Sequence, residues 1–549
     1  MGKTYRNVLL LYTDRYYVVK QVYPFGLDLI ANYLRQSGYQ AVIEYPFLTQ
    51  TDIEKNLSDI LDKTDPDVIG LGLRNLDTTM ACEQYGDVTC PDFSAFFFLP
   101  DVRRIVEIIK RQRPEIPLIA GGGGFSISPV PILQYLDIDY GVVGEGEEPF
   151  LRFLEAVPDR QKLSRVPNLV YRDKAAYRIN PRKAYAFRGN DPILSRDSKF
   201  NYAFETAGMP VQVKRGCNQN CSYCVEPLIE GRTFSFREPD HVISELKAIS
   251  KIHESVRSIF FVDTEFNIPN LQYPLQLIKH IMESGLNRYF RFSSQFLPRP
   301  FDANFAKLLA DAGFSVILTC DSFSDTVLEM NNKSYRNNDI TATIELCETH
   351  GIDCTVNLIF GLPGETFETV DLTLEAMLTY GENRLRRYEY TVGGRIYNGT
   401  PLCRLVEAGN ADGQTYGRKT RGYLEPCFYC SPSSPLALKS YIDKALPSPM
   451  AFGNRIDTRM HQHLSVAYLA DQGLWSQAVK KFLACDIPAQ TTIYDYLFKK
   501  LTENNRLKSA QTISEQLLKN IFQNAPQGQY DDQVRVIQHY LSLLNLYSE

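Results

Sequence analysis

A chain of 549 residues is too long for one ordinary domain and long enough for two or three buried cores. It is 44% hydrophobic and 22% charged, with no low-complexity tract, which describes a folded protein and excludes a disordered or fibrous one. A formal net charge of −5 without any Lys or Arg run argues against a nucleic-acid partner.

Residues 1–160 alternate short apolar runs with amphipathic stretches. Val8–Tyr12 reads as a strand, Leu27–Ser37 as a helix closed by Gly38, and Ala41–Tyr45 as the next strand. A helix over Ile53–Leu61 precedes the strand Val68–Leu73. Arg74–Pro100 has no period and reads as a long functional loop. A helix over Val102–Arg111 leads to Leu118–Ala120, which enters Gly121-Gly122-Gly123-Gly124. A last strand at Val142–Val143 ends in Gly144-Glu145-Gly146-Glu147. Strands and helices in this order predict a doubly wound, Rossmann-like parallel α/β sheet.

Residues 161–204 read as a connector of short strands such as Asn168–Tyr171. A second βα series spans residues 205–410. Its strands fall at Val211–Val213, Ile259–Val262, Phe290–Ser293, Val316–Thr319, Thr355–Phe360 and Tyr388–Val392. Six such units predict an open (βα)6 barrel. Over residues 411–549 strand signals vanish, and helices at Ser509–Phe522 and Gln533–Leu544 predict a mostly helical domain that closes the barrel mouth. No secretory or membrane-spanning stretch is visible, so the protein is expected to be cytoplasmic with no membrane partner. In that compartment its 12 cysteines are free thiols or metal ligands.

The sharpest motif is Cys217, Cys221 and Cys224, spaced C-x3-C-x2-C on the loop after the first barrel strand. Three thiolates on one loop can hold three corners of a cubane cluster and leave the fourth iron open for a ligand. Zinc is the alternative, but no His lies within the loop to complete its four ligands. The pair Cys427 and Cys430 lacks further ligands at a suitable spacing and reads as packing or substrate-pocket cysteines.

With Tyr223 before the third Cys, this loop resembles the signature of radical S-adenosylmethionine (SAM) enzymes, and the resemblance extends over roughly residues 205 to 400. It implies a 4Fe–4S cluster on the three cysteines and SAM on the open iron, with Tyr223 beside the adenine. Asp263 and Glu265, at the end of the second strand, would meet the SAM amino group. Ser293, Asp321 and Ser322 would meet its ribose or carboxylate, and Gly361 would lie in the fifth-strand turn near the adenine. The family often has Glu-Ser where this chain has Asp321-Ser322, so Asp321 is a departure. Each of these carboxylates could equally cap the helix that follows.

The first domain is similar to the cobalamin-binding class of that family over about residues 5 to 155. The matching positions are Gly72, Leu73 and Arg74; then Gly121, Gly122, Gly123, Phe125 and Ser126; then Gly144, Glu145, Gly146 and Glu147. No histidine precedes His241, so none from this domain could ligate cobalt from below. Arg74 is the candidate for crowding that lower face, or else it only pairs with Asp77. The resemblance implies a methyltransferase that moves a methyl group from SAM, via methylcobalamin, to a carbon of a small-molecule or peptide substrate. A natural-product setting and an external flavodoxin- or ferredoxin-like electron donor go with it. Leu73–Asp77 is similar to the tryptophan C-methyltransferase subgroup. Ring rearrangement or oxidative cyclisation without methyl transfer is the alternative, and a cofactor-binding sensor the alternative of another class. No catalytic acid or base is assigned, since the cofactors carry the chemistry.

Overall fold

The computed structural model describes residues 5–14, 22–47, 52–83, 86–184, 187, 194, 196–197, 199, 201–447 and 461–546. The apolar runs β1 (Asn7–Tyr12), β2 (Gln40–Glu44) and β3 (Val68–Gly72) pair in parallel, with β1 between the other two. Every residue of β3 is buried, as expected of a strand covered on both faces. Within the long loop, β4 (Val88–Thr89) and β5 (Ser94–Ala95) form a short antiparallel pair. β6 (Leu118–Gly121) and β7 (Tyr140–Val142) extend the parallel sheet.

β8 (Leu169–Asp173) and β9 (Ala176–Ile179) then join the same sheet in antiparallel sense, giving the order β2-β1-β3-β6-β7-β8-β9. The first sheet therefore runs to about residue 180 and takes in part of the segment read as a connector of short strands. An antiparallel hairpin at a sheet edge looks in sequence like an isolated one, which hides its membership. The strand order reverses between β1 and β3, and doubly wound sheets bind ligands at the carboxyl ends of the strands at such a point.

The second sheet is β10 (Met209–Val211), β13 (Ser258–Phe261), β14 (Arg291–Phe296), β15 (Phe314–Asp321), β16 (Cys354–Phe360) and β17 (Arg386–Val392), all parallel and in chain order. It is the expected open barrel. A side pair, β11 (Lys214–Arg215) and β12 (Ser235–Phe236), brackets the cysteine loop. Stacked aromatics line the helix-covered face of this sheet: Phe292 lies 5.8 Å from Phe261 and 5.1 Å from Phe314, and Phe296 on the same face lies 6.2 Å from Phe305 of the helix Ala303–Ala312.

Strands do not vanish after residue 411. β18 (Gly394–Arg395), β19 (Gln414–Gly417) and β20 (Cys427–Cys430) form a three-stranded antiparallel sheet. All four residues of β20 are buried, so it shows no polar–apolar alternation, and it is too short to register by length. This sheet sits over the C-terminal ends of β16 and β17: Gly393 N–H donates to Phe360 O at 2.7 Å and Ser431 N–H to Gly361 O at 3.2 Å. The β4–β5 loop packs on it, with the Phe93 and Phe428 rings 5.6 Å apart.

The terminal helices, from His461–Asp471 to Asp531–Leu546, pack elsewhere. Asp471 accepts from Tyr202 N–H at 3.0 Å, and Tyr496 lies 4.8 Å from the Tyr202 ring. Tyr202 belongs to the helix Asn201–Ala207, which leads into the N-terminal end of β10. Covering the mouth thus falls to the small sheet and the β4–β5 loop, not to the helices. No helix among the described residues is long and apolar enough to cross a membrane.

Candidate active site

The chain enters the cysteine loop through Gly216, at φ +99°, where an added Cβ would lie 2.4 Å from Thr233 O. Only glycine permits that turn. Cys217 N–H donates to Gly231 O at 3.0 Å, closing the loop against β12's approach. Cys217 is buried and Cys221 and Cys224 half-buried. Burial pushes the Cys217 thiol up to about 11 and raises the other two, and Cys224 is raised further by the charge of Glu226 and then by those of Cys221 and Cys217. The donor set, three thiols on one loop with no histidine among them, fits three corners of a cubane cluster better than a four-ligand zinc site.

Around the mouth, carboxylates and amides are buried with more acceptor capacity than the protein fills. Asp263 Oδ1 accepts from Val213 and Lys214 N–H at 3.0 and 2.9 Å, whereas its Oδ2 is buried without a hydrogen-bond partner. It therefore braces the preceding strand and does not cap the following element. Glu265 Oε1 accepts from Thr319 at 2.8 Å and its Oε2 has no such partner; nor does Asn357 Oδ1 on β16. Burial pushes Asp263 up to about 6 and Glu265 up to about 8. Orphaned acceptors after β13 and on β16 fit a ligand with a cationic, hydrogen-bond-donating group, which is what SAM's ammonium offers.

Three further positions named from the motif are held by contacts within the protein. Ser322 is buried and bonds Thr373 at 3.1 Å, turned into the barrel wall. Gly361 has φ +87°, and an added Cβ would lie 2.6 Å from Cys430 Sγ, so the small sheet closes over it. Asp321, also at positive φ (+65°), pairs with Lys333 at 2.5 Å and accepts from the Tyr223 hydroxyl at 2.8 Å. Tyr223 is thereby tied to Asp321. Ser293 makes only a long contact, 3.5 Å to Ile259 O. Lys333 escaped the sequence reading because a lysine in a turn carries no local signal; the one available clue was that a buried Asp321 needs a counter-charge.

On the N-terminal domain, the switch point between β1 and β3 holds Asp14 and Arg74, whose Nη1 lies 3.6 Å from Asp14 Oδ2. Arg74 does not pair with Asp77. That carboxylate is taken by Arg395 at 2.7 Å and the Tyr397 hydroxyl at 3.3 Å. Beside Arg74 the glycine turn meets backbone: Gly124 N–H donates to Leu73 O and Arg74 O at 3.0 and 2.8 Å. At Gly122, φ +103°, an added Cβ would lie 2.4 Å from Leu73 O. Ser126 joins the two glycine turns, donating to Gly122 O at 2.8 Å and accepting from Gly144 N–H at 2.9 Å.

Arg74, Gly121, Gly123, Ser126, Gly144, Glu145 and Gly146 keep some exposure along this edge, a shallow, backbone-rich surface that fits a large flat cofactor. Other inferred cobalamin contacts are turned inward. Phe125 is fully buried, and an added Cβ on Gly141 would lie 2.1 Å from its ring. Leu73 is a core residue that offers only backbone, and Gly72 is closed by Leu27, 2.7 Å from an added Cβ. Glu147 is buried in an ion pair with Arg215, 2.6 Å away and two positions before Cys217. Arg182 spans the same seam, bonding Leu228 O at 2.5 Å and lying 3.6 Å from Glu145. The glycine edge and the cysteine loop thus face each other.

Residues 211–377 match the family model described as the Radical SAM superfamily, and residues 97–154 match that of the B12 binding domain. The chain is similar to tryptophan 2-C-methyltransferase of Streptomyces laurentii, 24% identical over 422 residues, covering 65% of this chain and 67% of the relative. It is also similar to the anaerobic magnesium-protoporphyrin IX monomethyl ester cyclase of Rubrivivax gelatinosus, 23% identical over 364 residues, covering 64% and 61%. Among solved structures, the radical SAM methyltransferase TsrM of Kitasatospora setae, with cobalamin and a [4Fe-4S] cluster bound, superposes with a TM-score of 0.71. At 20% identity it covers 87% of this chain and 99% of that one, and the likeness is one of fold.

Proposed function

For a radical SAM protein that carries a B12 binding domain ahead of its radical SAM barrel, we propose methyl transfer from SAM to a carbon of a small-molecule or peptide substrate. The observation that carries this reading is the seam described above, where the glycine edge is clamped onto the cysteine loop by Arg215–Glu147 and Arg182–Leu228. Two cofactor surfaces brought face to face suit a group that passes between them.

When bound, the cluster supplies SAM activation, with electrons from a flavodoxin- or ferredoxin-like donor, and cobalamin supplies a methyl carrier. Cys217, Cys221 and Cys224 hold the cluster. Asp263 Oδ2 and Glu265 Oε2 receive the SAM ammonium, which supplies the donors that burial denies them. Gly121, Gly123, Ser126 and Gly144 let backbone approach the flat cofactor. Arg74, held by Asp14, would lie beside the cofactor as a cation that cannot ligate its metal, in a domain with no histidine to do so. The cover made by the β4–β5 loop and the small sheet excludes water from the mouth. An indole is the first substrate to try, by likeness to the Streptomyces relative. The protein is read as working in the cytoplasm.

A second reading, cyclisation or rearrangement without methyl transfer, is favoured by the likeness to the Rubrivivax cyclase. One experiment separates the two. Anaerobic protein supplied with cobalamin is assayed for iron and cobalt, then given methyl-labelled SAM and a panel of aromatic and peptide substrates. Labelled product with S-adenosylhomocysteine is the expected result. Product with 5′-deoxyadenosine alone selects the second reading, and iron without cobalt overturns both.

A further inference from the structure

We propose that Lys333 sets the reduction potential of the cluster on Cys217, Cys221 and Cys224, with Asp321 as the counter-charge that limits its effect. This rests on the cluster part of the reading above and is independent of methyl transfer. The Lys333 side chain is only 4% exposed, and its ammonium has one acceptor for each proton. Asp321 Oδ2 lies at 2.5 Å, the Tyr223 hydroxyl at 3.1 Å and Cys221 Sγ at 3.3 Å. The rings of Tyr223 and Tyr335 lie 5.0 and 6.0 Å from the same nitrogen and screen it from water.

The turn that carries Lys333 is fastened to the cysteine loop. Ser222 N–H donates to Asn331 O at 3.2 Å, and the Ser222 hydroxyl bonds the fully buried Asn331 side chain. Asn331 Nδ2 in turn donates to Val327 O and Pro363 O at 2.8 and 2.9 Å. The counter-charge is equally fixed. Asp321 follows a register irregularity in β15 and holds a left-handed φ of +65°, a conformation that is strained for a non-glycine residue. The surroundings maintain that strain and aim the carboxylate at Lys333.

A cluster's potential follows its net charge and the hydrogen bonds to its sulfurs. When one electron enters the cluster from a reductant such as dithionite, negative charge on the sulfurs grows. An ammonium at hydrogen-bond distance from one sulfur stabilises that reduced form. Lys333 therefore raises the potential, and Asp321, on the same ammonium, lowers it. A purely structural ion pair would give no such opposition of sign.

The test is an anaerobic redox titration of the full-length, cluster-loaded protein, followed by electron paramagnetic resonance, with iron counted in each sample. Lys333→Met is expected to lower the midpoint and Asp321→Asn to raise it, while Lys333→Arg stays near wild type. Each shift is expected to change the reduced-to-oxidised ratio at fixed potential about tenfold, ~59 mV for a one-electron couple. Shifts of the same sign, or none, overturn the proposal. If Lys333→Met fails to hold iron, Asp321→Asn decides: a raised midpoint supports the proposal and any other result overturns it. Loss of iron in both variants overturns it in favour of a structural pair. A wild-type chain without a cluster ends the functional reading as well, whereas a cluster with wrong-signed shifts ends this proposal alone.

Discussion

Around the cysteine loop, side-chain acceptors are buried beyond the donors available to them, at Asp263, Glu265 and Asn357. On the glycine edge across the seam, backbone meets backbone, and Gly124 N–H, Ser126 and Gly144 N–H are all satisfied within the domain. The first surface stores electrostatic demand that a charged ligand relieves; the second offers shape, with little left unsatisfied. A small polar ligand and a large flat one call for these two constructions. Polar substitutions should therefore damage the first surface, and added bulk the second.

The largest effect that separates them is at the thiols. Replacing Cys217, Cys221 or Cys224 by Ala is expected to take iron from about four per chain to below one and to abolish turnover, with cobalt unchanged. Metal analysis reads both surfaces in one sample, and joint loss of cobalt would mean that they are not independent. Next comes Gly122→Val. Its Cβ would meet Leu73 O at a φ of +103°, so a loss of roughly 3 kcal/mol in urea unfolding is expected, together with cobalt but not iron. Gly123→Ala, whose Cβ would lie 3.2 Å from Arg74 O, should do far less.

The seam itself can be broken. Glu147→Gln leaves Arg215 buried without its anion and is expected to cost about 3 kcal/mol. Removing both partners should cost less than the sum of the singles, measured as a double-mutant cycle. The smallest effect lies away from both surfaces and is a slope more than a level. Burial pushes Asp471 up to about 7 despite its contacts with Tyr496 and Lys500. A carboxyl raised on folding favours the protonated folded state. Its contribution is thus complete below the ordinary carboxylate range and is lost as pH rises toward 7. Melting temperature should fall over that window in the wild type and less in Asp471→Asn, with the two converging below pH ~4.

The barrel was legible because its strands are long apolar runs separated by helices, and the Cys217–Cys224 loop because its ligands are local in sequence. Asn168–Tyr171, which overlaps β8, reads as a strand but not as a member of the first sheet, and β9 goes unnamed, because pairing across a sheet edge leaves no periodic trace. β18, β19 and β20 are too short to register. The site partners that escaped were long-range: Lys333 meets Cys221 across 112 positions, and Arg215 meets Glu147 across 68. A motif marks the residues that are neighbours along the chain and says nothing of the counter-charges that arrive from elsewhere. Glu147 shows the converse, since a motif position on the glycine edge turned out to serve the opposite face.

The bond from Arg395 to Asp77 spans 318 positions, and it docks the β4–β5 loop to the barrel mouth. As the chain emerges during synthesis, the glycine edge and the cysteine loop can both be complete before Arg395 or Phe428 exists. Until then the loop lacks that ion pair and the Phe93–Phe428 contact, and is held only through residues such as Leu76, Phe97 and Leu99 that pack into the first domain's own core. Order of synthesis thus places the cap last, after the two surfaces it covers have been made.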